Sequence, residues 1–309
     1  MIVNADDLGL TAGVNRGIAV GLRSGALTSA TLMAMAPEFE DAVGHLERLG
    51  CLPPNQTASG ANGTCGCSRP GKLSIGCHVV LVDGCPALPA ASVSSLLGAS
   101  SQEFQTTFSG FARRVLLRRL QPDQITAEAE AQMRRIQAAG IILSHVDTHK
   151  HVHLFPAVLR AVLRAARARG VRAIRNPFAP VKPLAFAHLL RRPHLWTRYS
   201  EVTLLRRWSE SFRRTVREEG MITTDGTFGI MSTGALDLEL FSAIVGCIPP
   251  GTWEFCCHPG YHDADLARTR TRLRESRERE LALLTSSEAR DTLARSGIEL
   301  IGYWDLNYS

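Results

Sequence analysis

The sequence predicts an α/β chain wound as a (β/α) barrel of the TIM-like kind, closed or incomplete, with a doubly wound open sheet as the alternative. Three observations carry this. Apolar strand-like runs alternate with amphipathic helix-like runs, the pattern of a largely parallel sheet covered by helices. Gly25, Gly50, Gly140, Gly170 and Gly297 stand where helices must stop, each a few residues before the next strand. Residues able to bind metal or move protons fall at the C-terminal ends of the strand candidates, where barrel enzymes build their sites.

The elements follow in order. A short apolar strand over 1–5 runs into Asp6-Asp7, and a helix over 13–24 ends at Gly25. A second strand spans 27–35 and a second helix 38–49. Residues 51–72 are rich in Gly, Ser, Thr, Asn and Pro and read as a flexible insertion before the third strand, 73–81. Helices over 124–139 and 156–169 precede strands over 142–147 and 171–175. Residues 177–222 form an arginine-rich helical excursion, with a helix over 203–219, placed to roof the site. A helix over 236–245, a strand over 252–257, a helix over 275–295 and a strand over 298–303 complete the pattern. No internal repeat interrupts it, and 1–309 reads as one domain.

Composition narrows the function classes. With 45% hydrophobic and 21% charged residues, the chain is of globular type, and no apolar run approaches the ~18 residues of a membrane span. Neither a basic n-region nor an apolar h-region opens the sequence, so a cytoplasmic location is expected. The net charge of +6 comes almost wholly from arginine. These arginines lie on helical stretches among Leu and Ala, as a solvated helix face does, and no nucleic-acid-binding motif accompanies them. Among the 8 cysteines, Cys51, Cys65 and Cys67 belong to the insertion, where reduced thiols are expected. Cys77, Cys85, Cys247, Cys256 and Cys257 lie in or beside apolar segments and read as small core residues.

Two groups of residues carry chemistry. Asp6-Asp7 closes the first strand, and adjacent acids at a strand end point different ways, so one can hold a metal while the other handles a proton. Imidazoles from His78 and from the run Asp147-Thr148-His149-Lys150-His151-Val152-His153 complete an oxygen-plus-nitrogen donor set with open positions. His149, His151 and His153 share a face if extended; only His149 and His153 do if helical. His145 reads as structural. His258, after the apolar strand 252–257 and before Pro259-Gly260, is a candidate proton donor, and Arg175 ends another strand.

Asn4-Ala5-Asp6-Asp7-Leu8-Gly9, Leu27-Thr28-Ser29-Ala30-Thr31-Leu32-Met33, Gly76-Cys77-His78-Val79-Val80-Leu81, Asp147 to His153 and Cys257-His258-Pro259 occur in the order found in YdjC-like carbohydrate deacetylases. The chain resembles this family over nearly its whole length, apart from about 51–72 and 180–220. Leu143-Ser144-His145-Val146-Asp147 and the stretch Ala289 to Leu306 look closest to the hopanoid-biosynthesis-associated HpnK branch. The resemblance implies a divalent metal on Asp7, His78 and His149, with zinc or a similar transition metal favoured and magnesium also compatible. It implies Asp6 as general base and His258 as general acid. Asp147, His151, His153 and Arg175 fall to substrate binding or to orienting the ligands. The implied substrate is an acetylated amino sugar, either a chito-oligosaccharide or a lipid-linked N-acetylglucosamine. Peripheral lipid contact and a homodimer are left open. Cys77 departs from the Leu or Met usual before this histidine. A glycosidase, a phosphoesterase and a non-catalytic sugar-binding protein are the alternatives on the same scaffold.

Overall fold

The computed structural model describes residues 1–51, 73–99 and 102–306. From residue 52 onward the expected insertion, with Cys65 and Cys67, lies outside the described residues. Eight strands form one sheet: β1 (Ile2–Leu8), β2 (Ser29–Leu32), β3 (Ser74–Val79), β4 (His145–Thr148), β5 (Ala173–Ile174), β6 (Ile222–Thr223), β7 (Gly226–Phe228) and β8 (Trp253–Cys257). Their order is β6-β5-β4-β3-β2-β1-β8-β7, and every pairing is parallel. Helices α1 (Ala12–Ser24), α2 (Phe39–Arg48), α3 (Phe108–Leu116), α4 (Pro122–Ala138) and α5 (Pro156–Ala168) come before β5. Then follow α6 (Phe186–Leu190), α7 (Trp196–Leu205), α8 (Ser209–Glu218), α9 (Leu238–Val245), α10 (Ala264–Arg268), α11 (Glu275–Thr285) and α12 (Ser287–Arg295).

The barrel is nearly closed, and its seam is a kinked segment. β6 and β7 are the two ends of the strand order, yet only Thr224 and Asp225 separate them in the chain. The first half of this segment pairs with β5 and the second with β8. Thr227 N–H donates to the Phe178 carbonyl at 2.9 Å, and its hydroxyl donates to the Asn176 carbonyl at 2.6 Å, which ties the chain after β5 to β7. The sequence reading leaves barrel closure open, places 222 in the excursion and assigns no strand to 223–228, so the seam comes from the structure alone.

The strand expected over 298–303 is absent. Residues 298–303 alternate as a strand would, but β1 already has β2 and β8 on its two sides. With no edge free, the segment forms no ladder and is tied to the start of β1 by isolated bonds: Ile301 N–H donates to the Met1 carbonyl at 3.0 Å, and the Met1 amine to the Glu299 carbonyl. The expected helix over 275–295 is two helices, because Ser286 ends α11 and caps α12, accepting from Ala289 N–H at 3.2 Å. Cys85 is exposed and Cys247 half-buried, so neither is the core residue expected, whereas Cys77, Cys256 and Cys257 are buried.

Alternation along each strand divides the core in two. Val3, Ala5, Ala30, Leu32, Cys77, Val79, Val146, Ile174, Phe228, Phe255 and Cys257 join the large apolar cluster under the helices. The other face looks into the barrel. There a small apolar floor of Ile2, Ala173 and Tyr303 underlies polar residues rather than the branched aliphatics usual in such barrels. Asn4, Thr31, Asp147, Arg175, Glu254 and Cys256 are all buried above that floor, and a polar barrel interior of this kind needs every group partnered.

Candidate metal centre and active site

The site begins with a bulge. The register of β1 against β2 shifts between Ala5 and Leu8, and Asp7 takes φ 68°, a left-handed conformation uncommon for a residue with a side chain. A regular strand would send Asp6 and Asp7 to opposite faces. The bulge instead turns both carboxylates toward the mouth of the barrel.

Asp7 Oδ1 lies 3.6 Å from His78 Nε2 and 3.5 Å from His149 Nδ1, and the two imidazole nitrogens are 3.3 Å apart. Cation–donor bonds of about 2.0–2.2 Å set neighbouring donors roughly 3.0–3.5 Å apart, so the triad has the spacing of a metal ligand set. Its supports fit as well. His78 Nδ1 meets Asp147 Oδ1 at 2.7 Å, which directs the Nε2 lone pair toward the triad. Arg277 Nη2 donates to Asp7 Oδ2 at 2.6 Å and leaves Oδ1 facing the imidazoles. Charge points the same way. The carboxylates of Asp6, Asp7, Asp147 and Glu254 are buried close together, with Arg175 and Arg277 as their guanidinium partners and His78, His149 and His258 beside them, a negative setting that suits a cation. Without an ion, burial would depress the His78 pKa, but the charge and hydrogen bond of Asp147, helped by Asp6 and Asp7, raise it to about 9. The triad is thus a candidate cation site.

Asp6 is held from below. Its oxygens accept from Arg175 Nη1 at 2.8 Å and Nη2 at 2.7 Å, from Asn4 Nδ2 at 2.8 Å, and from the Cys256 thiol at 3.2 Å. Burial alone would push its carboxyl up, yet the charge and hydrogen bonds of Arg175 hold it well below the ordinary range. Asp7 is held down similarly, mainly by Arg277 against its own burial. Facing Asp6, His258 Nε2 stands 3.9 Å from Oδ2, while its backbone N–H donates to Glu280 Oε2 at 2.6 Å. Asp6, His258 and the triad therefore gather at the C-terminal strand ends.

The remaining predicted residues lie deeper. Arg175 is fully buried and spends its guanidinium on Asp6, Asp147 and Glu254. His153 is buried, with Nδ1 2.7 Å from the Thr148 hydroxyl and Nε2 3.2 Å from the Arg175 carbonyl. Neither the extended nor the helical reading of the histidine run holds. Lys150 and His151 take φ 56° and 53° inside a 3-10 turn, so His149 turns up to Asp7 and His153 down into the wall. His151 Nδ1 is buried without a hydrogen-bond partner among the described residues, and burial keeps its pKa well below the ordinary value. His145 packs flat on Tyr303 in the floor, with ring centroids 3.6 Å apart. The sequence reading does not single out Arg277, Glu280, Glu254 or Tyr303. Glu254 had a signal, since 254, 256 and 258 share one face of an extended chain. Arg277 and Glu280 are one turn apart on α11, where the sequence reads as an ordinary charged helix.

These features define a parallel βα barrel with a candidate metal centre at the C-terminal ends of its strands. The chain belongs to the YdjC-like protein family, whose model matches residues 1–295. It is 30% identical over 304 residues to a carbohydrate deacetylase of Geobacillus stearothermophilus, covering 98% of this chain and 96% of that one. A carbohydrate deacetylase of Brevibacillus brevis is 29% identical over 308 residues, 99% of each chain. A chitooligosaccharide deacetylase of Citrobacter koseri is 33% identical over 174 residues, 55% of this chain and 57% of its own. The fold is shared with a solved Enterococcus faecalis protein named for cellobiose-phosphate cleavage, at TM-score 0.74 and 21% identity, covering 99% of this chain and 98% of that one.

Proposed function

We propose that this chain is a metal-dependent carbohydrate N-deacetylase, which removes the acetyl group of an acetylamino sugar and releases acetate. The observation that carries the reading is the Asp7, His78 and His149 donor triangle beside Asp6 and His258. Relatives named as carbohydrate deacetylases supply the substrate class. The triad would hold one divalent ion. Two imidazoles favour zinc or a similar transition metal, and magnesium remains compatible. When bound, such an ion lowers the pKa of water and polarises an amide carbonyl.

The rest of the mechanism belongs to the chain. Asp6, kept ionised by Arg175, accepts the proton of the attacking water on Oδ2. His258 protonates the departing nitrogen, because an amide anion is too basic to leave. Asp147 orients His78, and Arg175 positions Asp6; their burial suits positioning rather than sugar contact. His153 braces the wall, and the His151 ring stands edge-on to it at 6.3 Å.

A lipid-linked N-acetylglucosamine, the substrate implied by the HpnK resemblance, is favoured over a soluble chito-oligosaccharide by the excursion. Val181, Phe186, Leu190, Trp196, Leu204 and Trp208 are exposed there. Lys182, Arg191, Arg206 and Arg207 carry no ion pair among the described residues. Apolar side chains among free cations suit an amphiphilic aglycone or an anionic bilayer. No helix among the described residues is long and apolar enough to cross a membrane. The test is acetate release across N-acetyl sugars and glycolipids, before chelation, after it, and after metal return. Release without shortening of the sugar chain supports the reading; no release from any substrate at full metal loading overturns it.

A further inference from the structure

Below the candidate site the barrel is plugged by a residue from outside the strands. Tyr303 follows α12 and lies beyond the stretch that the family model matches. Its ring stacks on His145, with planes 7° apart, and packs on Ile2 and Ala173. Gly76 makes room for that pair, since a Cβ there would lie 2.5 Å from the His145 ring. The Tyr303 hydroxyl donates to Glu254 Oε2 at 2.6 Å, while the Thr227 hydroxyl, whose proton goes to the Asn176 carbonyl, lies 3.3 Å from the same oxygen.

From Glu254 the contacts run upward without a gap. Glu254 Oε1 accepts from Arg175 Nε at 2.9 Å and from Nη2 at 2.7 Å. Arg175 Nη2 also donates to Asp6 Oδ1 at 2.7 Å, and Nη1 to Asp6 Oδ2 at 2.8 Å and to Asp147. The five N–H groups of the guanidinium are thereby all assigned, so its plane cannot turn without losing a buried partner. We propose that Tyr303 and Glu254 are positioning residues for Asp6: the hydroxyl fixes Glu254, Glu254 fixes the Arg175 fork, and the fork fixes both oxygens of Asp6. The inference rests on the reading of Asp6 as the proton acceptor of a deacetylase. Burial already pushes the Glu254 carboxyl up from its ordinary value against the pull of Arg175, so losing the tyrosine donor favours its neutral form and a looser fork.

Four variants of the full chain test this: Tyr303→Phe, Tyr303→Leu, Glu254→Gln and the double Tyr303→Phe/Glu254→Gln. Tyr303→Phe keeps the plug and removes one hydroxyl. It should keep its metal content, its Tm within a few degrees and its KM within twofold, while kcat falls roughly tenfold, a change of about 1.4 kcal/mol in the barrel's contribution to the barrier. Glu254→Gln should behave alike, and the double variant should fall no further than the worse single one, because the two act as a unit. Tyr303→Leu should lose Tm as well. The Arg175 guanidinium N–H resonances should be resolved in the wild type and broadened in Tyr303→Phe. A Tyr303→Phe kcat within twofold of wild type with unchanged guanidinium signals would overturn the inference, and so would independent effects in the double variant. If the wild type releases no acetate at all, the deacetylase reading fails instead. The guanidinium signals still decide the tether then: broadened in Tyr303→Phe they uphold it, unchanged they sink it.

Discussion

Replacing Asp6 by Asn removes the proposed base while keeping the number of heavy atoms. In the structure Asp6 accepts from both Arg175 Nη atoms, at 2.8 and 2.7 Å, and from Asn4 Nδ2 at 2.8 Å. The amide keeps one accepting oxygen, which can retain Arg175 Nη2 and Asn4. Its NH2 then faces Arg175 Nη1, a donor against a donor. The charge-assisted bond of Arg175 Nη1 is lost, worth about 1.5–3 kcal/mol, and the Cys256 thiol loses its weaker bond to the same oxygen. Arg175 keeps Asp147 and Glu254 as counter-charges, so the larger cost of a stranded buried ion does not apply. At roughly 2–4 °C of Tm per kcal/mol for a chain of this size class, the variant should melt about 3–12 °C lower and remain folded at assay temperature. Its turnover should fall much further, by roughly 10²–10⁴-fold, the usual worth of a general base. Acetate release, metal content and Tm must be measured on the same preparation. A variant that is fully metal-loaded and folded, yet turns over within threefold of wild type, would refute the role given to Asp6.

Three further outcomes follow from the same geometry. Metal return to chelated protein should raise Tm, by about 2.7 kcal/mol of stability at a hundredfold excess over Kd, and Asp7→Asn should abolish that gain; an equal gain in the variant would locate the ion elsewhere. In metal-free protein, stability should peak near neutrality. Below the ordinary histidine value of 6.5 the unfolded chain binds protons that native His153, lowered to about 3 by its burial and by Arg175, refuses, so stability falls with pH. Between 6.5 and about 9 native His78 keeps a proton that the unfolded chain sheds, so stability falls as pH rises, and a flat Tm from pH 5 to 9 would contradict both assignments. Trp196→Ala and Trp208→Ala should weaken deacetylation of an N-acetylglucosaminyl lipid while sparing di-N-acetylchitobiose; equal loss on both would remove the lipid reading and leave the deacetylase one.

The sequence by itself determined the barrel class and the level at which its chemistry lies. Glycines at helix ends and apolar runs between them are local signals, because helix stops and strand burial are decided within a few residues. Asp6, Asp7, His78, His149 and His258 were legible for the same reason, each standing at a strand end in a motif of its own. Only the tertiary structure decided how these residues meet. The bulge that aims Asp6 and Asp7 the same way depends on pairing with β2, and the left-handed turn at Lys150 and His151 separates His149 from His153 against both simple periodicities. The closing segment 222–228 is too short to signal itself, and residues 298–303 look like a strand but find β1 already paired on both sides. Arg277 and Tyr303 carry no local mark, and Glu254 has only its place on the same strand face as Cys256 and His258. Their importance comes from burial beside opposite charge, which arises only when segments as far apart as Asp7 and Arg277 are folded into contact.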